Sequence, residues 1–332
     1  MALSSYVIAR ARELQESSDD TETISRLSRA FTFACPRDRT ILEQVTSSKL
    51  RHLANGTMYS CEQGIWRLLA PERTQYYERF LTEYETIRHA EGRGSTDTDY
   101  YRALPFADLT GQHRENWHIR ACGFETLIEQ VVEPLETRGK PLKILDIGAG
   151  NGWLSYRLAQ REHHVASIDL STDPFDGLGT HTHYNATFVP VQAEFDRLPF
   201  AANQFDLVIF NASLHYSTDY MVTLNETLRV LQPDSPLVIL DSPVYRRARS
   251  GQMMVHEREH YFEEEYGFPS NALPSENYLT YQRLRKLAND VGLDWQMFKP
   301  EYGLAWSLRP WKARLRGRRE PAKFMVIVGW SK

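Results

Sequence analysis

The stretch KILDIGAGNGWLSYRLA, residues 143–159, constrains the fold more than any other part of the chain. An apolar run ends at Asp146, glycines follow at positions 148, 150 and 152, and a helical pattern begins at once. A glycine-rich turn between a strand and a helix lets the backbone approach a ligand closely, while the helix N-terminus offers N–H groups that the helix leaves unpaired.

From residue 139 onward, short apolar strands alternate with helical segments, which predicts an α/β fold around a mostly parallel sheet with helices on both faces. We read seven strands, at LKILDI, HVASIDL, ATFVPVQ, FDLVIF, PLVILD, DWQMF and KFMVIVGW, with helices at GWLSYRLAQR, YMVTLNETLRVL and TYQRLRKLANDVG. The segment 242–279 interrupts the alternation and is long enough to form a lid over the strand ends. Upstream, 1–30 reads as a helical lead-in with Ile8, Ala11, Leu14, Ile24 and Leu27 as its apolar positions. Residues 31–71 read as a small β-ribbon and 72–138 as a helical cap, in which GRGSTDTDYYRALPF is expected to be a loop. The 332 residues, 42% of them apolar, suffice for one large domain and a smaller appendage. No apolar run approaches the roughly 18 residues of a membrane span. The polar N-terminus and the three scattered cysteines, Cys35, Cys61 and Cys122, lead us to expect a cytoplasmic protein without a disulfide framework.

A dinucleotide fingerprint would place its third glycine where this chain has Trp153, whose bulk would crowd a pyrophosphate. Asp146 sets a carboxylate beside the turn, which suits a cation better than a diphosphate. S-adenosylmethionine is such a ligand. Asp169, at the end of the next strand, stands where a carboxylate accepts hydrogen bonds from ribose hydroxyls. With LDIGAGNG as a first motif and AEFDRLPF as a third, the stretch from Leu142 to Leu240 resembles class I S-adenosylmethionine-dependent methyltransferases, which have a Rossmann-like seven-stranded sheet. The resemblance implies that Asp146, Gly148, Ala149, Gly150, Asn151 and Gly152 line the methionine end and that Asp169 and Leu170 hold the ribose. Gln192, Ala193 and Glu194 would follow the adenine edge, and Asn211 and Ala212 would close the pocket. Tyr101, Trp117 and Arg120, in segments similar to those that cap the cofactor in such enzymes, are candidates for the methionine carboxylate; ordinary core packing is the other reading.

His215 and Tyr216, just past the fourth strand, are candidate catalytic groups, His215 as a general base or as a packing residue. Tyr245, Arg246, Glu276, Asn277 and Tyr278 are candidate acceptor contacts from the lid. The 31–71 segment resembles the zinc-ribbon module of some bacterial methyltransferases, with one cysteine per knuckle where two are needed and His52 as a third candidate ligand. We therefore expect a metal-free ribbon held by Phe33, Ile41, Leu42, Tyr59, Ile65 and Trp66. The basic segment RPWKARLRGRREPAK suits an anionic membrane or RNA phosphates, or else a solvated connection whose arginines pair with HEREHYFEEEY, which we favour. The expected function is methylation of an O, N or C acceptor on a small molecule, secondary metabolism included. An rRNA or tRNA methyltransferase and a non-catalytic partner subunit on the same fold are the alternatives, and the net charge of −4 weighs against nucleic acid.

Overall fold

The computed structural model describes residues 22–137 and 141–332. Ile8, Ala11 and Leu14 lie outside the described residues, and 22–28 form a short helix, α1. Four antiparallel strands follow, β1 (Leu42–Thr46), β2 (Lys49–His52), β3 (Met58–Glu62) and β4 (Ile65–Arg67). Helix α2 (Pro71–Ala90) starts on a proline, which fixes φ for the first turn and needs no N–H there. It leads to α3 (Thr98–Ala103), α4 (Arg114–Leu127) and, through a wide turn at Ile128–Val132, α5 (Glu133–Glu136). The expected loop before Pro105 is thus partly helical, because Asp97 caps α3 by accepting from the Asp99 N–H.

The alternating half of the chain supplies β5 (Lys143–Ile147), α6 (Trp153–Ala159), β6 (His164–Asp169), β7 (Val189–Gln192), β8 (Leu207–Asn211), α7 (Tyr220–Val230) and β9 (Leu237–Leu240). The lid contains β10 (Val244–Tyr245), α8 (Ala248–Tyr266) and β11 (Leu279–Thr280). After it come α9 (Tyr281–Val291), β12 (Leu293–Phe298), α10 (Leu304–Ser307), α11 (Arg309–Leu315) and β13 (Val326–Ser331). Strands β5, β8 and β9 are apolar almost throughout because helices cover both of their faces. Helix α9 turns Leu284, Leu287 and Ala288 inward, is capped by the Thr280 hydroxyl at 3.0 Å and ends at Gly292, where φ is 72°.

All seven expected strands join one sheet in the order β7-β6-β5-β8-β9-β13-β12, parallel except where β13 pairs antiparallel with β9 and β12. The order reverses at β5, which opens a crevice outside the carboxyl ends of β5 and β8. The ribbon does not stand apart. Strand β4 runs parallel to β7, Trp66 opposite Val191 and Arg67 opposite Gln192, so the sheet continues to eleven strands. Phe33, Leu42, Tyr59, Ile65 and Trp66 are buried as expected, but Ile41 is exposed at the ribbon's margin. Among the described residues no helix is long and apolar enough to cross a membrane, and the three cysteines are free and buried.

Candidate active site

A cavity of about 330 Å³ occupies the crevice. Its floor is the glycine turn. Gly148, with φ of 71°, passes so close to Ser213 that a side-chain carbon would sit 2.2 Å from the serine Cβ. A side-chain carbon at Gly150, where φ is 53°, would meet nothing nearer than the Asp176 carbonyl oxygen at 3.8 Å, so this side of the turn is uncrowded and leaves room for a ligand. The N–H groups of Gly148 and Ala149 both donate to the Ile168 carbonyl, at 2.9 and 3.0 Å, and that of Gly150 donates to Asp169 Oδ2 at 2.8 Å. The Trp153 N–H meets the Asn151 side chain at 3.4 Å. A turn whose donors are already engaged makes a poor diphosphate cradle.

Asp169 accepts from Gly150 and, through Oδ1, from the Ser171 N–H at 2.9 Å, and it lines the cavity with lone pairs to spare. Burial raises its pKa. Ala149, Asn151, Leu170, Ala193, Asn211 and Ala212 join it in the lining. Helix α2 forms the opposite wall with Tyr77, Phe80, Leu81, Tyr84 and Arg88, a stripe at helical spacing. Ion pairs hold the helix in place. Glu194 accepts from Arg73 Nε at 2.9 Å, Arg73 Nη2 at 2.7 Å and the Tyr77 hydroxyl at 2.8 Å, and Arg88 pairs with buried Asp176.

Two opposite charges in the cavity are left without direct partners. Among the described residues Arg120, on α4, has no hydrogen bond or ion pair; its guanidinium rests 4.5 Å over the Trp117 ring, and burial lowers its pKa. Asp241 follows β9, is 7% exposed, and among the described residues neither of its carboxylate oxygens has a hydrogen-bond partner. Burial pushes its pKa up to about 6, and Arg120 opposes that rise. The buried Asn211 Oδ1 is likewise unpartnered. His215 and Tyr216 line the same end with Pro243, Leu273 and Phe324. His215 Nδ1 lies 3.2 Å from the Ser242 hydroxyl, and burial together with nearby Arg258 lowers its pKa to about 3. A histidine so disfavoured as a cation is a weak base near neutral pH, which favours the packing alternative for His215 over the general base.

Several expected site residues lie elsewhere. Asp146 is fully buried beneath the turn, accepts from the Ser155 hydroxyl at 2.7 Å and has a pKa raised to about 7 by burial. Gly152 takes a left-handed N-cap position against Phe188. Gln192 donates to the Leu170 carbonyl at 3.0 Å and accepts from Arg67 at 3.2 Å, so both ends of its amide are engaged. Glu194 serves as the anchor of α2 rather than an adenine contact. Tyr101 donates to the Ser95 and Phe175 carbonyls, each at 2.7 Å, and Trp117 packs edge-on against Trp153; neither reaches the cavity lining, whereas Arg120 does. In the lid, Tyr245 is buried and takes a hydrogen bond from Arg319 at 3.2 Å, Arg246 is exposed, Glu276 pairs with Arg283, and Tyr278 packs on Tyr245. Only Asn277 of this group lines space near the site, in an adjoining cavity that shares Tyr84, Arg88 and Tyr216. The residues that sequence reasoning missed are Asp241, a lone acid after the fifth strand, and the aromatic stripe of α2.

In the ribbon, Cys35, Asp38 and His52 bring their ligand atoms within 4.8 Å of one another. His52 Nδ1 accepts from the Ala54 and Asn55 N–H groups at 3.2 and 3.3 Å, so Nε2 carries the ring proton and donates to Asp38 at 2.9 Å. The imidazole lone pair a metal would take is already in use.

Residues 145–239 match a protein-family model described as a methyltransferase domain. A malonyl-(acyl-carrier protein) O-methyltransferase from Hahella chejuensis is 30% identical over 119 residues, covering 35% of this chain and 42% of that protein. Its counterpart from Erwinia billingiae is 29% identical over 130 residues, covering 38% and 49%. The chain thus spans less than half the length of either relative. A solved structure of a SAM-dependent methyltransferase from Methanosarcina mazei is 19% identical, with a TM-score of 0.36, covering 58% of this chain and 93% of that one.

Proposed function

We propose that this chain, which carries a methyltransferase domain over residues 145–239, moves a methyl group from S-adenosylmethionine to a small-molecule acceptor that bears a removable proton. The observation that carries this reading is the single cavity joining Asp169 to the unpaired Arg120 and the unpaired Asp241. Asp169 accepts from the ribose hydroxyls. Leu170, Ala193 and Phe195 supply apolar surface for the adenine, and Gly150 leaves it room to lie against the turn. Arg120 takes the methionine carboxylate, which restores an ion pair to a guanidinium that has none.

Bound S-adenosylmethionine supplies a methyl on a sulfonium; the acceptor's lone pair forms the new bond to carbon while the sulfur keeps the electrons of the old one. The protein's task is alignment, exclusion of water and handling of the acceptor's proton. Asp241 receives that proton, since its carboxylate is unpartnered and titrates far closer to neutrality than an exposed aspartate. His215 is neutral and orients the acceptor by hydrogen bonding. A negative Asp241 favours an acceptor that donates from O, N or an acidic C over a bare carboxylate.

Calorimetric titration with S-adenosylmethionine and S-adenosylhomocysteine tests the cofactor half of the reading. Both should bind and NAD should not. Asp169→Ala should weaken binding roughly ten- to a hundred-fold, the value of charge-assisted hydrogen bonds of about 1.5 to 3 kcal/mol. Binding of NAD instead, or unchanged affinity in a folded Asp169→Ala protein, would overturn it.

A further inference from the structure

The segment 304–315 sets Leu304, Leu308, Trp311 and Leu315 at intervals of four, three and four residues, the spacing of one helical face. In a globular protein that face normally meets the core. Here the four side chains are 85%, 51%, 68% and 84% exposed. Between 309 and 323 stand seven cationic side chains, Arg309, Lys312, Arg314, Arg316, Arg318, Arg319 and Lys323, against the single carboxylate of Glu320. The pairing with the acidic stretch of α8 that we expected is limited to one contact, Arg319 to Glu257 at 2.6 Å. Lys312, Arg314 and Arg316 are exposed, and among the described residues they and Arg318 have no ion-pair partner.

We infer that α10 and α11 form a docking face for an anionic lipid surface. An exposed apolar stripe flanked by unpaired cations is what an interfacial helix presents to a bilayer, the Leu and Trp side chains entering the headgroup boundary and the cations meeting lipid phosphates. The shape favours lipid over the other polyanions. RNA phosphates would use the cations but leave three aliphatic side chains in water, since bases stack on aromatic rings. A protein partner would need matching pockets for side chains that stand singly clear of the surface, whereas a fluid bilayer adapts to them. The segment also walls a second cavity of about 400 Å³ with Trp306 and Arg309, and this cavity shares Phe324 with the principal one. The segment proposed to dock is therefore separated from the acceptor end of the principal cavity by the side chain of Phe324.

Sedimentation with sucrose-loaded vesicles tests the inference, using phosphatidylcholine alone and phosphatidylcholine with 30% phosphatidylglycerol. The protein should pellet with the anionic vesicles and not the neutral ones. Each cation near an anionic bilayer contributes roughly fivefold in affinity at low salt, so Arg314, Arg316 and Arg318 changed together to Gln should lose well over tenfold. Leu308→Ser with Leu315→Ser, which leaves every charge in place, should also release the protein. Melting temperatures, and their shift with S-adenosylhomocysteine, report whether each variant is folded. No binding to anionic vesicles would overturn the inference. So would binding that survives the leucine changes, which would mean charge attraction without insertion, and so would tighter binding to single-stranded RNA than to vesicles.

Discussion

Helix α2 and the α10–α11 segment use similar materials, aromatic and aliphatic residues mixed with arginines at helical spacing, and end in opposite environments. On α2 the stripe of Tyr77, Phe80, Leu81 and Tyr84 closes over the cavity, and Arg73 and Arg88 each meet a buried acid from another element, Glu194 and Asp176. On α11 the stripe faces water, and among the described residues its cations have no ion-pair partner. The difference is not in the helices. It lies in the acids that the segments after β6 and β7 place opposite α2, since a carboxylate across the contact offsets much of the cost of burying an arginine.

The largest effect should come from removing such an acid. Glu194→Ala leaves Arg73 and the Tyr77 hydroxyl facing a void, and urea unfolding should register a loss of about 3 to 5 kcal/mol, the usual result of breaking a buried pair from one side. A loss below about 1 kcal/mol would show that apolar contacts alone hold α2. Next is Asp241, where the same logic runs in reverse because the acid has no direct partner. Its folded-state pKa of about 6 lies above the unfolded 3.8, so the folded protein retains a proton that the unfolded chain has released. Stability from this group is therefore full below about pH 4 and falls as pH rises through about 6. In the ligand-free protein Asp241→Asn should raise stability at pH 7.5 by roughly 1 to 3 kcal/mol, with the gain vanishing near pH 4. A pH-independent change in melting temperature would mean that Asp241 is not held in its buried, unpartnered state. The smallest effect belongs to α11: Leu308→Ser with Leu315→Ser should leave unfolding stability within about 0.5 kcal/mol of the parent. A larger loss would make the exposed stripe part of the core.

The same contrast explains what the sequence made legible. The central sheet was readable because β5, β6, β8 and β9 are buried on both faces and so appear as apolar runs, and the parallel register sets Asp169 and Asn211 level with each other at the strand ends, two residues beyond Asp146. The glycine turn was readable for the same local reason, its backbone conformation being one that few other residues adopt. The α2 wall was not, since its apolar stripe is interrupted by tyrosines and charges, and Glu194, the partner of Arg73 and Tyr77, lies more than a hundred residues away. Glu194 resembled an adenine contact because its position in the third motif suggested one, and only the fold shows Arg73 occupying its carboxylate. Asp241 carried no motif. Its significance comes from what does not reach it, and sequence does not record missing partners.

The parallel pairing of β4 with β7 has a consequence for the integrity of the molecule. An outer strand presents a row of free N–H and C=O groups that another copy can extend, and β7 would be such an edge if the sheet ended there. The ribbon occupies that row and moves the boundary out to β1, whose Leu42–Thr46 backbone exposes mostly polar side chains. The match over 145–239 therefore does not delimit a piece that can stand alone. Cut to those residues, the chain would lose α2 from over its cavity and, on the opposite side of β6, would offer every neighbouring copy a strand to continue.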